Sequence, residues 1–197
     1  MTARTASITR QTRETDISLT IDLDDATTVD ISTGVPFLDH MLHALARHGW
    51  IGLVVEATGD HHIDPHHTVE DVGIVLGQAF REALGDRHGI ERYGTAHAPL
   101  DEALARVVVD CSGRPFLDYH AAFPETLIGR DFAASLVEEF WRSFAVHSRL
   151  TIHIDLLRAR NSHHAAEAIF KAAAVAIRTA IRSADRAGMP STKGVLE

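Results

Sequence analysis

A chain of 197 residues with 45% hydrophobic content suits one compact core, or two small half-domains fused along a shared one. Its formal net charge of −8 argues against a general attraction to nucleic acid or anionic membrane, and no apolar run reaches the ~18 residues that cross a bilayer. One cysteine excludes an intrachain disulfide or a thiolate metal cage, whereas 14 histidines, several of them clustered, suggest imidazole ligands.

Strict alternation at Ile17, Leu19, Ile21 and Leu23 predicts a half-buried strand, with Thr27 to Ile31 as its neighbour. Gly34-Val35-Pro36 breaks the chain. Phe37, Leu38, Met41, Leu42 and Leu45 then fall at the spacing of an amphipathic helix that Gly49 closes. Ile51 to Ala57 reads as a strand, Thr58 to Pro65 as a polar loop, and His66 to Leu84 as a helix ended by Gly85-Asp86. The stretch from Glu91 to Leu100 reads as the junction between two halves. Beyond it come strands at Arg106 to Asp110 and Phe116 to Ala121, a helix from Phe132 to His147, a strand from Leu150 to Leu156 and a long helix from His163 to Ala187. Cys111, following the apolar run Val107 to Val109, reads as a small buried hydrophobe. The N-terminus lacks the charged, apolar, small-residue pattern of a secretory signal, so a cytoplasmic protein is expected.

The order recurs. Phe37 to His40 align with Leu136 to Glu139, His48 with His147, and Leu53 to Val55 with Ile152 to Ile154, all displaced by 99 positions. His66, His67, Glu70, Phe80, Arg81 and Leu84 meet His163, His164, Glu167, Ile177, Arg178 and Ile181 at 97. This predicts a duplicated β-β-α-β-α unit and one domain over residues 1–197: a first half at 5–92, a second at 93–190 and a tail at 191–197.

The duplicated motif is His-His-x-x-Glu, at His66, His67, Glu70 and again at His163, His164, Glu167. Residues three or four apart share a helix face, whereas adjacent side chains diverge by about 100°. His66 and His67 should therefore address different metal ions, as should His163 and His164, and each ion should draw on both motifs. Four ligands per ion need one more residue from each half, and the repeat nominates His40 and its counterpart Glu139. Imidazole and carboxylate donors without thiolate favour Mn²⁺, two ions per active site, although Fe²⁺, Co²⁺ and catalytic Zn²⁺ also fit. The absence of His-Glu-x-x-His argues against a metalloprotease.

Several separated segments, among them Phe37-Leu38-Asp39-His40-Met41-Leu42, Gly59-Asp60, His66-His67-Thr68-Val69-Glu70-Asp71, Asp101-Glu102, Ser112-Gly113-Arg114-Pro115, Asn161-Ser162-His163-His164 and Pro190-Ser191-Thr192-Lys193-Gly194, resemble the imidazoleglycerol-phosphate dehydratase family. The resemblance runs from about Arg13 to Leu196. It implies an α/β (α+β) fold of internally duplicated halves, ribosomal protein S5 domain 2-like, with helices packed between two four-stranded mixed sheets. It also implies a homo-24-mer with active sites at subunit interfaces, and dehydration of a phosphorylated imidazole in histidine biosynthesis. Family ligands carry over to His40, His66, His67, Glu70, Glu139, His163, His164 and Glu167. At Glu139 some relatives carry histidine, and at Ala44 many carry a glutamine near the substrate phosphate.

The reaction needs a route around a poorly stabilised carbanion. Metal at both ring nitrogens favours an imidazolate that expels the hydroxyl through a diazafulvene-like intermediate. Glu14 is the family-matched proton carrier, with Glu70 and Glu167 as alternatives. Arg92, Arg114, Lys171, Ser191, Thr192 and Lys193 are the matched phosphate set, and His48 is assigned to the substrate pocket. His43, His61, His62, His88, His97, His120, His147 and His153 read as surface or structural residues, although His147 as the equivalent of His48 also admits a place next to the ligands. Two other readings stay open: a different metal-dependent hydrolase or lyase, and a metal-binding protein without catalysis.

Overall fold

The computed structural model describes residues 3–184, 188, 190–192, 194 and 196. The first half opens with a hairpin of β1 (Thr5–Gln11) and β2 (Thr15–Asp22), followed by β3 (Val29–Ser32), α1 (Pro36–Gly49), β4 (Gly52–Gly59) and α2 (His66–Leu84). The second half repeats this with β5 (Tyr93–Leu100), β6 (Ala103–Asp110), β7 (Phe116–His120), a small hairpin of β8 (Leu127–Ile128) and β9 (Phe132–Ala133), α3 (Ser135–Ser148), β10 (Thr151–Arg158) and α4 (Ser162–Ile181). Each half contributes a four-stranded mixed sheet, ordered β1-β2-β4-β3 and β5-β6-β10-β7.

The alternation in β2 buries Ile17, Leu19 and Ile21 on one face. Its neighbours are the antiparallel β1 and β4, whereas β3 runs parallel to β4. The Thr27–Ile31 segment thus belongs beside β4, not beside the strand preceding it: α1 crosses over and returns the chain to the same sheet. Two edge strands, β1 and β5, escape the periodicity reading because several inward positions are small or charged, Ala6 and Arg10 in β1 and Gly94 and Ala96 in β5, so their alternation carries little apolar signal. The supposed junction at Glu91 to Leu100 is mostly β5, paired along its length with β6.

The duplicated hairpins are displaced by 88 positions, Thr15–Asp22 onto Ala103–Asp110, but α1 lies 99 from α3. The second half therefore carries eleven extra residues between β7 and α3, where the β8–β9 hairpin sits. This insertion corrects the expected helix from Phe132: Phe132 and Ala133 are strand, and α3 begins at Ser135. The last helix ends at Ile181, earlier than expected, with Arg182 extended and Ser183 bridged to Ile90; residues 185–187 of the expected span lie outside the described residues.

Helices α2 and α4 cover the inner faces of the first and second sheets, and the halves meet helix to helix, α2 on α3 and α1 on α4. Glycines set the first contact. A β-carbon on Gly73 would lie 2.9 Å from the Phe140 carbonyl oxygen, and one on Gly77 would lie 2.8 Å from that of Phe144. One hydrophobic cluster spans both halves, with Phe80, Phe140, Trp141, Phe144 and Phe170 at its middle. Cys111 is buried there, and desolvation pushes its thiol up to about 12. Among the described residues, no helix is long and apolar enough to cross a membrane.

Candidate metal centre and active site

Pro36 opens α1, and the Thr33 backbone N–H (2.9 Å) and hydroxyl (2.5 Å) both donate to Asp39 Oδ1, anchoring the first turn. Leu38, Met41, Leu42 and Leu45 face inward, which leaves His40 on the outer surface facing α4. There His40 Nε2 lies 3.1 Å from Glu167 Oε2, and His163 Nε2 lies 3.3 Å from the same oxygen. Phe37 stands edge-on to His163 at 5.2 Å and packs against Phe132 at 4.9 Å, backing the imidazoles with apolar surface. The other Glu167 oxygen, Oε1, is 2.6 Å from Lys171 Nζ. Burial raises the Glu167 pKa, but Lys171 and His40 more than offset it and hold the carboxyl below its ordinary range.

The close α2–α3 packing builds a second group, His66, Glu70 and Glu139. His66 Nε2 is 3.8 Å from Glu70 Oε2, and Arg142 donates to Glu139 Oε2 at 3.1 Å. In each group the ligand atoms lie within 4.8 Å of one another. Under the displacements of 97 and 99, the groups are equivalent residue for residue, His40 matching Glu139. Each takes the first histidine and the glutamate of one motif and a single residue from the other half. Among the described residues the chain does not combine the two motifs at one position, because α2 packs on α3 and α4 on α1.

The second histidine of each motif points elsewhere. His67 Nδ1 meets Asp60 Oδ2 at 2.9 Å, and His164 Nδ1 meets Glu102 Oε2 at 2.9 Å. The hydrogen bond from His67 lowers the Asp60 pKa, and that from His164 lowers Glu102 to about 2; both imidazoles are raised in return. Asp101 joins Glu102 and His164 in a third cluster of ligand-type atoms.

Glu14 sits in the β1–β2 turn, with Oε1 3.9 Å from His67 Nε2. Thr12 Oγ1 accepts from the backbone N–H groups of Glu14 and Thr15, and Thr15 Oγ1 donates to the buried Asp71 at 2.5 Å. Asp71 also pairs with Arg10 at 2.9 Å, so α2 holds the turn that carries Glu14. A cleft of about 360 Å³ runs beside Glu14, Thr15 and Asp60.

A separate cleft of about 560 Å³ is lined by His40, His43, Ala44, His48, Glu167 and Lys171. Burial, then Lys171, lowers the His48 pKa and favours the neutral ring. His147, by contrast, bonds the Ser143 carbonyl through Nδ1 at 2.9 Å within the α2–α3 packing. The other phosphate candidates gather elsewhere. Arg92 forks onto Asp110 at 2.7 and 3.2 Å and donates to the Pro190 carbonyl at 2.7 Å, and Arg114 approaches Asp110 at 3.9 Å. Pro190 carries Ser191 and Thr192 to this corner, whereas Lys193 lies outside the described residues. Arg92 N donates to Ala180 O on α4, nine positions beyond Lys171 and so about 14 Å along the helix. The cations therefore form two groups in one chain. Asp60, Glu102, Asp71 and Asp110 had no role assigned from sequence; each acts through a partner in a different element or turn, from seven positions away for Asp60 and His67 to 62 for Glu102 and His164, which helix or strand periodicity does not reveal.

The sequence model of one family, described as imidazoleglycerol-phosphate dehydratase, matches residues 33–177. Imidazoleglycerol-phosphate dehydratase of Thiobacillus denitrificans is 55% identical over 98% of this chain and all of that protein. The Nitrosomonas europaea enzyme of the same name is 52% identical over the whole of both chains. The crystal structure of the Staphylococcus aureus dehydratase superposes with a TM-score of 0.83 at 43% identity, covering 91% of this chain and 99% of that one. That of the Pyrococcus furiosus protein gives 0.82 at 39%, covering 96% and 100%.

Proposed function

The chain belongs to the imidazoleglycerol-phosphate dehydratase family, and on that premise we propose that it dehydrates D-erythro-imidazole-glycerol phosphate to imidazole-acetol phosphate in L-histidine biosynthesis. The observation that carries this reading is the pair of equivalent clusters, His40/His163/Glu167 and His66/Glu70/Glu139. Each offers imidazole and carboxylate donors and no thiolate, a set suited to Mn²⁺, and three donors leave open positions in an octahedral shell. When bound, two such ions would supply Lewis acidity to the ring nitrogens, favouring ring deprotonation and loss of the hydroxyl through a diazafulvene-like intermediate.

His67 and His164 are read as ligands offered outward to neighbouring copies. Their Nδ1 atoms are engaged by carboxylates, and both side chains are about one-third exposed. The split cations favour the same arrangement, since Lys171 borders a cleft, whereas the Arg92 backbone meets α4 about 14 Å further along the helix and Arg114 gathers with Arg92 at Asp110. Copies docking cleft to corner would bring both cation groups to one phosphate. Trp50, Ile63, Tyr93 and Phe116 are large side chains more than half exposed, as expected of a surface that another copy covers. A homo-24-mer, located in the cytoplasm, is part of this proposal.

On this reading Glu14 takes the proton from the carbon next to the one that loses its hydroxyl. The hydroxyl leaves with a proton as water, and the enol becomes the ketone. Lys171, Arg92, Arg114, Ser191, Thr192 and Lys193 hold the phosphate, and the neutral His48 borders the substrate. Arg92 meets the anion already braced by Asp110, and the more exposed Arg114 has freedom to reach it. A metal-storage protein would have no use for these cations.

The test is turnover of imidazole-glycerol phosphate by the Mn²⁺-loaded assembly. We expect ketone product, and its loss in His67→Ala or His164→Ala. A correctly assembled, metal-loaded protein without turnover would falsify the reading.

A further inference from the structure

The duplication contains an exchange of carboxylates. At the hairpin displacement of 88, Glu14 in the β1–β2 turn corresponds to Glu102 in the β5–β6 turn, as His67 corresponds to His164. The two glutamates nevertheless meet opposite nitrogens. Glu102 Oε2 faces His164 Nδ1 at 2.9 Å, whereas Glu14 Oε1 stands 3.9 Å from His67 Nε2. In the first half Nδ1 belongs to Asp60, at 2.9 Å. Asp60 follows β4 directly, and the corresponding position after β10, displaced by 99, is Ala159, which has no carboxylate to give.

An imidazole whose Nδ1–H is held by a carboxylate is fixed in one tautomer and one orientation, with the Nε2 lone pair outward for a metal. We propose that Asp60 and Glu102 are the positioning residues of His67 and His164, and that Asp60, by taking this task in the first half, releases Glu14 from it to act on substrate. The inference rests on the reading of His67 and His164 as metal ligands.

Exposure separates the roles. The Asp60 and Glu102 side chains are 12% and 20% exposed, whereas Glu14 is 54% exposed. Glu102 is further fixed by the Arg160 backbone N–H, which donates to Oε1 at 3.2 Å. Asp60 N donates to Glu14 O at 3.1 Å, tying the positioning residue to the turn it relieves. The lowered carboxyl pKa values of Asp60 and Glu102 agree with this geometry.

The decisive experiment is Mn²⁺ titration of the metal-depleted full chain, reading free Mn²⁺ by electron paramagnetic resonance. Asp60→Ala and Glu102→Ala should each weaken binding by roughly 10- to 100-fold, and Glu102→Gln, which keeps an oxygen acceptor for Nδ1–H, by less. Glu102→Ala added to His164→Ala should cost no further affinity, because the histidine it positions is already gone. Glu14→Gln should lose turnover while binding Mn²⁺ within about twofold of the parent. If His164→Ala weakens binding but Glu102→Ala does not, or if the two losses add, the positioning role is overturned. If His164→Ala itself binds Mn²⁺ normally, the ligand reading fails, and this inference falls with it. Melting of each metal-free variant reports whether it has folded.

Discussion

Lys171 Nζ lies 2.6 Å from Glu167 Oε1, one helical turn along α4, while Oε2 of the same carboxylate faces His40 and His163. One carboxylate thus joins a metal-type cluster to a cation that borders the neighbouring cleft. The two residues should separate in experiment. Lys171→Met should raise KM for the phosphorylated substrate about tenfold or more, the loss of one charge-assisted hydrogen bond, with bound Mn²⁺ retained. Glu167→Gln should lower the metal content. Paired elemental analysis and steady-state kinetics on both variants check this; metal loss in Lys171→Met would show that the lysine serves the cluster instead.

Glu139 occupies in the second half the position that His40 holds in the first, and either side chain suits Mn²⁺. Glu139→His should therefore keep two ions per chain, whereas Glu139→Leu should lose much of the occupancy at His66 and Glu70. Anomalous scattering at the manganese edge gives the occupancies directly. Full occupancy in Glu139→Leu would remove Glu139 from the ligand set.

A β-carbon on Gly94 of β5 would overlap the Ala176 carbonyl oxygen and crowd the Ala180 nitrogen at 2.9 Å. α4 approaches its sheet this closely because Ala172, Ala173, Ala176 and Ala180 are small and buried. A backbone carbonyl inside a packed helix cannot turn aside as a side chain can. Gly94→Ala should destabilise the protein by about 3 kcal/mol, seen as a lower midpoint in urea unfolding. An unchanged midpoint would show that the helix can lift from the sheet at little cost.

Arg4 pairs with Asp24 at 2.6 Å and donates to the Ile181 carbonyl at 2.7 Å, tying β1 to the end of α4. The hydrogen bond from Arg4 holds the Asp24 carboxyl below its ordinary value of 3.8. A lowered carboxyl pKa stabilises the fold above the unfolded-state value, and this contribution is lost as pH falls through the folded-state value. Asp24 is 48% exposed, so the effect is modest, under about 1 kcal/mol. Asp24→Asn should melt slightly lower than the parent at pH 7, with the gap closing below about pH 3. A gap that persists undiminished at low pH would assign it to packing instead of charge.

Sequence by itself determined the duplication, the α/β class and the residue types of the site, because burial periodicity is local and a repeated motif announces itself in number. His66 with Glu70, and His163 with Glu167, were legible as helix neighbours. Edge strands β1 and β5 were not, since inward residues such as Ala6, Arg10, Gly94 and Ala96 leave little apolar periodicity, and the start of α3 was hidden by the eleven-residue insertion before it. Only the tertiary structure decided how the motif histidines divide. His40 reaches Glu167 because α1 packs on α4, Glu139 reaches His66 because Gly73 and Gly77 let α3 close on α2, and His67 and His164 turn to Asp60 and Glu102. These partners lie in different elements, and helix packing and turn placement, not spacing along the chain, bring them together.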